Sequence, residues 1–353
     1  MKLEKDTAQV LEEDSLKEEV ATSEVALEEN YENDAVGSKT SYKRDGKFKM
    51  TIRRILLNRQ IYIMLIPVMI FYIVYSYMPM YGITLAWKDY VPAWGIEGSP
   101  WVEPLWSNFE WLFSMPDLPR AIENTLKISF LRLIITFPVP ILFSLLLNEI
   151  HNAGFKKAIQ TMIYLPNFIS WVILGSLVKI LLGEGGLVNG LLEIFGRDKP
   201  IYFLQEPDMF YTILLVVEIW KGTGWGTIIY GASIAGIDAN LYEAAKIDGC
   251  KRAGLMFRIT LPLLLPIIAV MFVNALSGIM NAGFDPVYNL YNETIYETAD
   301  IIDTYSYRLF MEQHDYPLSS AVGIFKTSIN FVLLIVGNYV TKKISGYSMF
   351  SID

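Results

Sequence analysis

Six apolar stretches dominate this chain, at about 61–80, 128–147, 162–182, 211–234, 263–284 and 321–340. Each is long enough to cross the hydrocarbon core of a bilayer. Backbone polar groups in hydrocarbon must be bonded within their own segment, so such stretches fold as helices. The fold class expected is therefore all-α: a polytopic membrane protein with six transmembrane helices. Composition agrees, since 53% apolar and 14% aromatic residues exceed what an ordinary soluble domain carries.

Charge sets the expected orientation. Residues 1–45 are acidic, with Glu12-Glu13-Asp14 and Glu28-Glu29 and no aromatic before Tyr31. They read as a disordered cytoplasmic tail, because they offer too little apolar surface to order themselves. A weak helical pattern (Leu11, Leu16, Val20, Leu27) leaves a partner-bound helix open. The acidic start does not read as a signal peptide. Lys43, Arg44, Lys47, Lys49, Arg53, Arg54 and Arg59 then precede the first span, which places the N-terminus in the cytoplasm by the positive-inside rule. With six spans alternating, Lys156, Lys157, Lys251, Arg252, Arg258, Lys342 and Lys343 also fall inside. The loops at 81–127, 183–210 and 285–320 fall outside, and both termini are cytoplasmic. The six-span domain is expected over 46–353.

Between the fourth and fifth spans lies a polar island, Glu243-Ala244-Ala245-Lys246-Ile247-Asp248-Gly249, followed by Ile259-Thr260-Leu261-Pro262. Asn240 suits an N-cap with Glu243 three residues on, so a short helix can start there. Ala244 and Ala245 keep one face thin, and Gly249 offers a stop or a left-handed turn. Leu261-Pro262 would open the next span. Glu243 has two readings: half of a capping box, or a charge offered to another protein.

Within the spans, Glu218, Gly222 and Trp225 share one helix face by spacing, as do Asn274, Ser277, Asn281 and Asp285. Polar stripes are costly against lipid, so both are expected to look inward. Carboxylates and amides beside an indole suit sugar hydroxyls and C–H faces, while interhelical hydrogen bonding uses the same residues. Asn330, in the sixth span, fits the second reading. Arg132, Lys179 and Lys326 lie near outer ends of spans and are expected to snorkel, whereas Glu218 is about two turns deep. Pro138 and Pro140 should kink the second span. Trp87, Trp94, Trp101, Trp106 and Trp111 read first as an interfacial belt.

The chain lacks the phosphate-binding glycine loop, a nucleophile elbow and a His-Glu-x-x-His motif, and its two histidines, His151 and His314, lie far apart. Its single cysteine, Cys250, excludes an internal disulfide. No catalytic residue, cofactor or metal is expected. A membrane-embedded enzyme is thereby disfavoured.

The pattern from Glu243 to Pro262 resembles the coupling loop (about 238–262) of ABC importer permeases at every defining position. Further segments are similar to the maltose and oligosaccharide class, closest to the Lpl-type permeases: 81–90, Asn124-Thr125-Leu126, 160–171 and Trp220-Lys221-Gly222-Thr223-Gly224-Trp225. The resemblance covers about 50–353. It implies a type I permease fold and a place in a bacterial plasma membrane. It implies a sister permease as heterodimer partner, since this chain holds one coupling loop, and two ATP-binding subunits engaging Glu243, Ala244, Ala245, Asp248 and Gly249. It also implies a lipid-anchored binding protein and a sugar substrate, with the pathway at Glu218, Gly222, Trp225, Asn274, Ser277 and Asn281. Asparagines are fewer there than in the maltose-type pattern. Two alternatives stand beside a sugar importer. One is an ABC permease for a non-sugar solute; the other is an ion-coupled carrier using Glu218 with Arg132 or Lys179.

Overall fold

The structure is a computed structural model that describes residues 58–347, 349 and 350. The acidic tail and the basic cluster ahead of Arg59 lie outside the described residues. The chain divides into two units, residues 1–79 and 80–353.

In the first unit, α1 (Arg59–Tyr72) continues into a π-helical turn at Ile73–Tyr77. Every described residue of this unit is exposed.

The second unit is helical, with one isolated bridge between Lys88 and Trp101 among the described residues. After α2 (Ser107–Ser114), α3 (Asp117–Leu131) passes through a π-turn at Arg132–Thr136 into α4 (Pro138–Asn148). Then follow α5 (Ala153–Tyr164), α6 (Trp171–Leu182), α7 (Leu187–Ile194) and the long α8 (Pro207–Ala235). The polar island forms α9 (Ala239–Ile247). Next, α10 (Arg252–Leu255) runs through a third π-turn, Met256–Thr260, into α11 (Leu261–Ser277). The chain closes with α12 (Phe284–Leu290), α13 (Ile302–Met311) and α14 (Tyr316–Ser345).

Among the described residues, five helical segments are long and apolar enough to cross a membrane: Arg59–Trp87, Asp117–Asn148, Trp171–Ile194, Arg252–Ser277 and Tyr316–Lys343. α8, with 29 residues, is about 43 Å long at 1.5 Å per residue, but carries Glu218 and Lys221 near its middle.

Each π-turn ends two residues before a proline: Pro79, Pro138 and Pro262. A proline has no N–H and its ring crowds the carbonyl four residues back. Opening the ladder to i→i+5 relieves that crowding, as where Phe137 N donates to the Arg132 carbonyl at 2.8 Å. Pro262 therefore sits inside a helix begun at Arg252, not at the start of a span.

The third apolar stretch is also not one helix. α5 stops at Tyr164, Pro166 lies in a 3₁₀ turn, and Ser170 caps α6 by accepting from Ile173 N at 3.3 Å. The crossing segment consequently starts at Trp171 rather than 162. Lys221 holds this break, donating to the Asn167 carbonyl at 2.9 Å and to the Ile169 carbonyl.

Among the described residues, three apolar clusters form the core. Leu112, Leu118, Tyr305, Leu309 and Leu318 join α2, α3, α13 and α14. Ile128, Leu174, Phe210, Leu214 and Leu290 join α3, α6, α8 and α12. Ile141, Leu145, Tyr230, Ile234 and Leu264 join α4, α8 and α11. Between α3 and α13, a polar knot fixes the connecting segment. Asn124 Nδ2 donates to the carbonyls of Glu297 and Asp300, both at 3.0 Å, and Thr125 Oγ1 accepts from Ile302 N at 2.9 Å. The fully buried Asp300 carboxylate accepts two bonds from Arg308, at 2.7 and 2.6 Å, and one from Thr304 at 2.7 Å. Such a bidentate, fully satisfied pair tolerates burial that a lone carboxylate would not.

Candidate functional site

A cavity of ≈ 380 Å³ opens where the π-turn after α3 faces the end of α11. Ser129, Arg132 and Thr136 line it from one side, spaced three and four residues apart; Asn274, Gly278 and Asn281 line it from the other. The far wall exists because α11 stops early. Its helix ends at Ser277, Gly278 is the C-cap, and Ser129 bonds the freed Ile279 carbonyl. Asn330 on α14 satisfies the next stretch, accepting from Met280 N at 3.0 Å and donating to Asn281 Oδ1 at 3.5 Å. Thr136 Oγ1 is buried with no partner among the described residues.

Arg132 is the charged group on this wall, and it does not stand alone. Its Nε donates to Glu218 Oε2 at 2.7 Å, and its Nη2 donates to Oε1 of the same carboxylate. Glu218 is only 8% exposed, so the pair is neutral and largely dry. Gly283 makes room for it. This residue has φ +79°, and a Cβ built there would stand 2.7 Å from Arg132 Nη2. The cleft thus offers amides, hydroxyls and a guanidinium held by its own counter-ion. Such groups can bind and release hydroxyl-rich solutes.

The two expected stripes separate. Asn274 and Asn281 line the cavity, but Asn281 and Asp285 lie beyond the helix end, so the second stripe does not share one helix face. Gly278 and the left-handed Gly283 are the reason. Ser277 donates back to the Asn274 carbonyl at 2.7 Å and is not in the lining. On α8, Glu218 is buried behind Arg132, while Gly222 is exposed and Trp225 is 61% exposed. The buried side of α8 turns along its length, from Leu214, Leu215 and Glu218 to Thr223, Thr227, Tyr230 and Ile234. Snorkelling does not describe two of the cations. Arg132 turns inward to Glu218, and Lys326 pairs with Asp303. Lys179 is exposed. Ser129 and Thr136 were not foreseen as lining; their spacing from Arg132 was the signal available.

The polar island presents a different surface. Asp238, not Asn240, caps α9, its Oδ1 accepting from Asn240 N at 3.0 Å. With the cap two residues earlier, Glu243 is not the third helical position, and the capping-box reading falls. The helix ends in a Schellman turn: Cys250 N donates to the Ala245 carbonyl at 2.9 Å and Gly249 N to the Lys246 carbonyl at 3.0 Å. Gly249 has φ +78°. Glu243, Ala244, Asp248 and Gly249 are exposed and Ala245 is half-buried. Ile247 is 86% exposed and Leu241 is also exposed, two apolar side chains left open on a polar helix. Tyr242 Oη lies 3.0 Å from Thr260 Oγ1, which ties α9 to the π-turn before α11.

Residues 47–346 match the family model described as binding-protein-dependent transport system inner membrane component. The chain belongs to this family. The permease is 41% identical over 303 residues to the polygalacturonan/rhamnogalacturonan transport system permease protein YteP of Bacillus subtilis (strain 168), covering 86% of this chain and 93% of that one. It is 37% identical over 294 residues to protein LplB of the same organism, covering 83% and 92%. Among solved structures it resembles a chain of a bacterial ABC transporter involved in import of the acidic polysaccharide alginate. There the TM-score is 0.76 and the identity 38%, over 85% of this chain and 99% of that one. A second structure of a bacterial alginate ABC transporter, in complex with an alginate pentasaccharide-bound periplasmic protein, matches with TM-score 0.75 and 38% identity, over 84% and 99%. The permease is accordingly a multi-pass inner-membrane subunit of an ABC importer, working with a binding protein and other ABC subunits. It is the membrane component and not the enzyme of that system.

Proposed function

We propose that this permease carries an oligosaccharide inward as one half of an ATP-driven, binding-protein-dependent importer. The observation that carries the reading is the cleft of ≈ 380 Å³ with Asn274, Asn281, Ser129 and a counter-ion-held Arg132 on its walls. Its groups match sugar hydroxyls, which pair with a few fixed donors and acceptors. Relatives named for polygalacturonan, rhamnogalacturonan and alginate support a saccharide, and make galacturonate oligomers the first substrates to try.

In this reading α8 is the sixth crossing helix, the domain spans 46–353, and both termini lie in the cytoplasm. Gly222 and Trp225, on the exposed side of α8, face the sister permease across the pathway, with Ser277 near its wall. α9 is the coupling helix. Glu243 meets a cation in an ATPase groove, Ala244 and Ala245 allow close approach, and Asp248 with the left-handed Gly249 fixes the turn. Two ATPase subunits, one on each permease, drive alternating access, and a lipid-anchored binding protein delivers the sugar outside.

The test is uptake of labelled galacturonate oligomers by the reconstituted complex, with Glu243→Ala and Gly249→Val compared against wild type. ATP-driven uptake should be lost or uncoupled in both variants. Undiminished uptake in either would remove the coupling role, and uptake that follows a proton gradient without ATP would favour an ion-coupled carrier.

A further inference from the structure

A second cavity, of ≈ 340 Å³, lies between α2, the start of α3 and the end of α13, away from the cleft at Arg132. Trp111 and Leu309 line it with Tyr305, and Ser114, Asp117 and Gln313 carry its polar groups, the Ser114 hydroxyl already donating to the Glu110 carbonyl at 2.7 Å. We propose that this cavity is a saccharide subsite on the outer face of the permease, resting on the oligosaccharide reading above.

Trp111 sits beside Leu112, which is fully buried, yet is itself 62% exposed. α2 therefore anchors on the core and holds the indole out over the cavity. An indole presents a negative π-face, which attracts the slightly positive C–H face of a pyranose. Opposite it, Asp117 uses Oδ1 for Arg120 at 2.8 Å and keeps its other oxygen free for hydroxyl donors. The Gln313 amide has no side-chain partner among the described residues and supplies both a donor and an acceptor. Below them, the Tyr305 hydroxyl is committed to Met115 Sδ at 2.9 Å, so the base is fixed and largely apolar. Burial raises the Tyr305 phenol above its usual value.

An aromatic platform flanked by a carboxylate and an amide is the chemistry that grips one sugar ring. The volume lies at the small end of ligand pockets, about 300–1,000 Å³, and suits one or two rings of a chain. A lipid-facing belt tryptophan would have no carboxylate and amide converging on the same space. The subsite would hold part of an oligosaccharide outside the membrane while the remainder enters the cleft.

The full complex, with its sister permease and ATPase subunits in nanodiscs, is tested by saturation-transfer NMR using galacturonate and xylose oligomers. Transfer to sugar ring protons should fall about five- to ten-fold in Trp111→Ala and in Gln313→Ala, and persist in Trp111→Phe. Basal ATPase activity should be unchanged in all three. Equal transfer in wild type and both alanine variants overturns the proposal. So does unchanged transfer with lost stimulation by the binding protein, which would make the cavity a protein-docking surface. Uptake by wild type is scored separately. If neither oligomer is imported, the oligosaccharide reading fails, while the Trp111-dependent binding signal still decides the subsite.

Discussion

Replacing Glu218 with glutamine removes one charge and leaves another buried. Arg132 keeps its guanidinium against α8, with side-chain exposures of 19% for Arg132 and 9% for Glu218. Glu218 is buried in the helix packing, and Arg132 is open only toward the cleft it lines. Breaking a buried pair by deleting one partner costs about 3–5 kcal/mol, because the survivor is uncompensated. That corresponds to roughly two to three and a half orders of magnitude in the folded-to-unfolded ratio. Replacing both, as Glu218→Gln with Arg132→Met, removes the desolvated charges together and should recover most or all of the loss. The assay is denaturant unfolding of the purified complex in mild detergent, run as a double-mutant cycle. Uptake is measured alongside, and the double variant should be stable but slow, since Arg132 also lines the cleft. Single variants as stable as wild type, or a double variant no better than the worse single, would refute the pairing argument. A double variant with full uptake would refute the role of Arg132 in the pathway.

Asp300→Ala should cost about 3–5 kcal/mol by stranding Arg308, and limited proteolysis should then cut the 291–301 segment first. Gly249→Ala should lose roughly 1–2 kcal/mol of α9 stability, read by hydrogen exchange at Cys250, because φ +78° disfavours any Cβ. Burial, aided by a hydrogen bond to Tyr296, holds the Tyr291 phenol above its usual value. The folded chain keeps that proton after the unfolded chain loses it, near pH 10, so stability should decline as pH rises beyond about 10. Tyr291→Phe should flatten that decline in a pH series of thermal unfolding.

The apolar stretches were legible because lipid imposes one rule on every residue of a span. The stretch at 162–182 misled because apolar content continues through Pro166 and Ser170, where backbone chemistry stops the helix. The Asn274–Asp285 stripe misled in the same way: a period of three and four carries on through Gly278 and Gly283, but the helix does not. Asp238 was overlooked as the cap of α9 because Asn240 also fits that role, and only the backbone geometry separates them. Gly249 could be read, since glycine after a short helix has few other uses. Arg132 was expected to snorkel, and Glu218 entered beside it only in the ion-coupled alternative, because the two lie 86 residues apart. Nothing local distinguishes a snorkelling arginine from a paired one.

The π-turns ahead of Pro138 and Pro262 carry a further consequence. Each is in effect one surplus residue in its helix, and one residue is about 100° of azimuth. A helical wheel drawn straight through Arg132–Thr136 thus puts residues beyond the turn on the wrong bearing relative to those before it. Ile128 and Ile141 serve different core clusters on either side of that phase slip. Substitutions in these helices should be indexed from two wheels rather than one. The same sequence spacing then means a lipid-facing neighbour in one half and a core neighbour in the other.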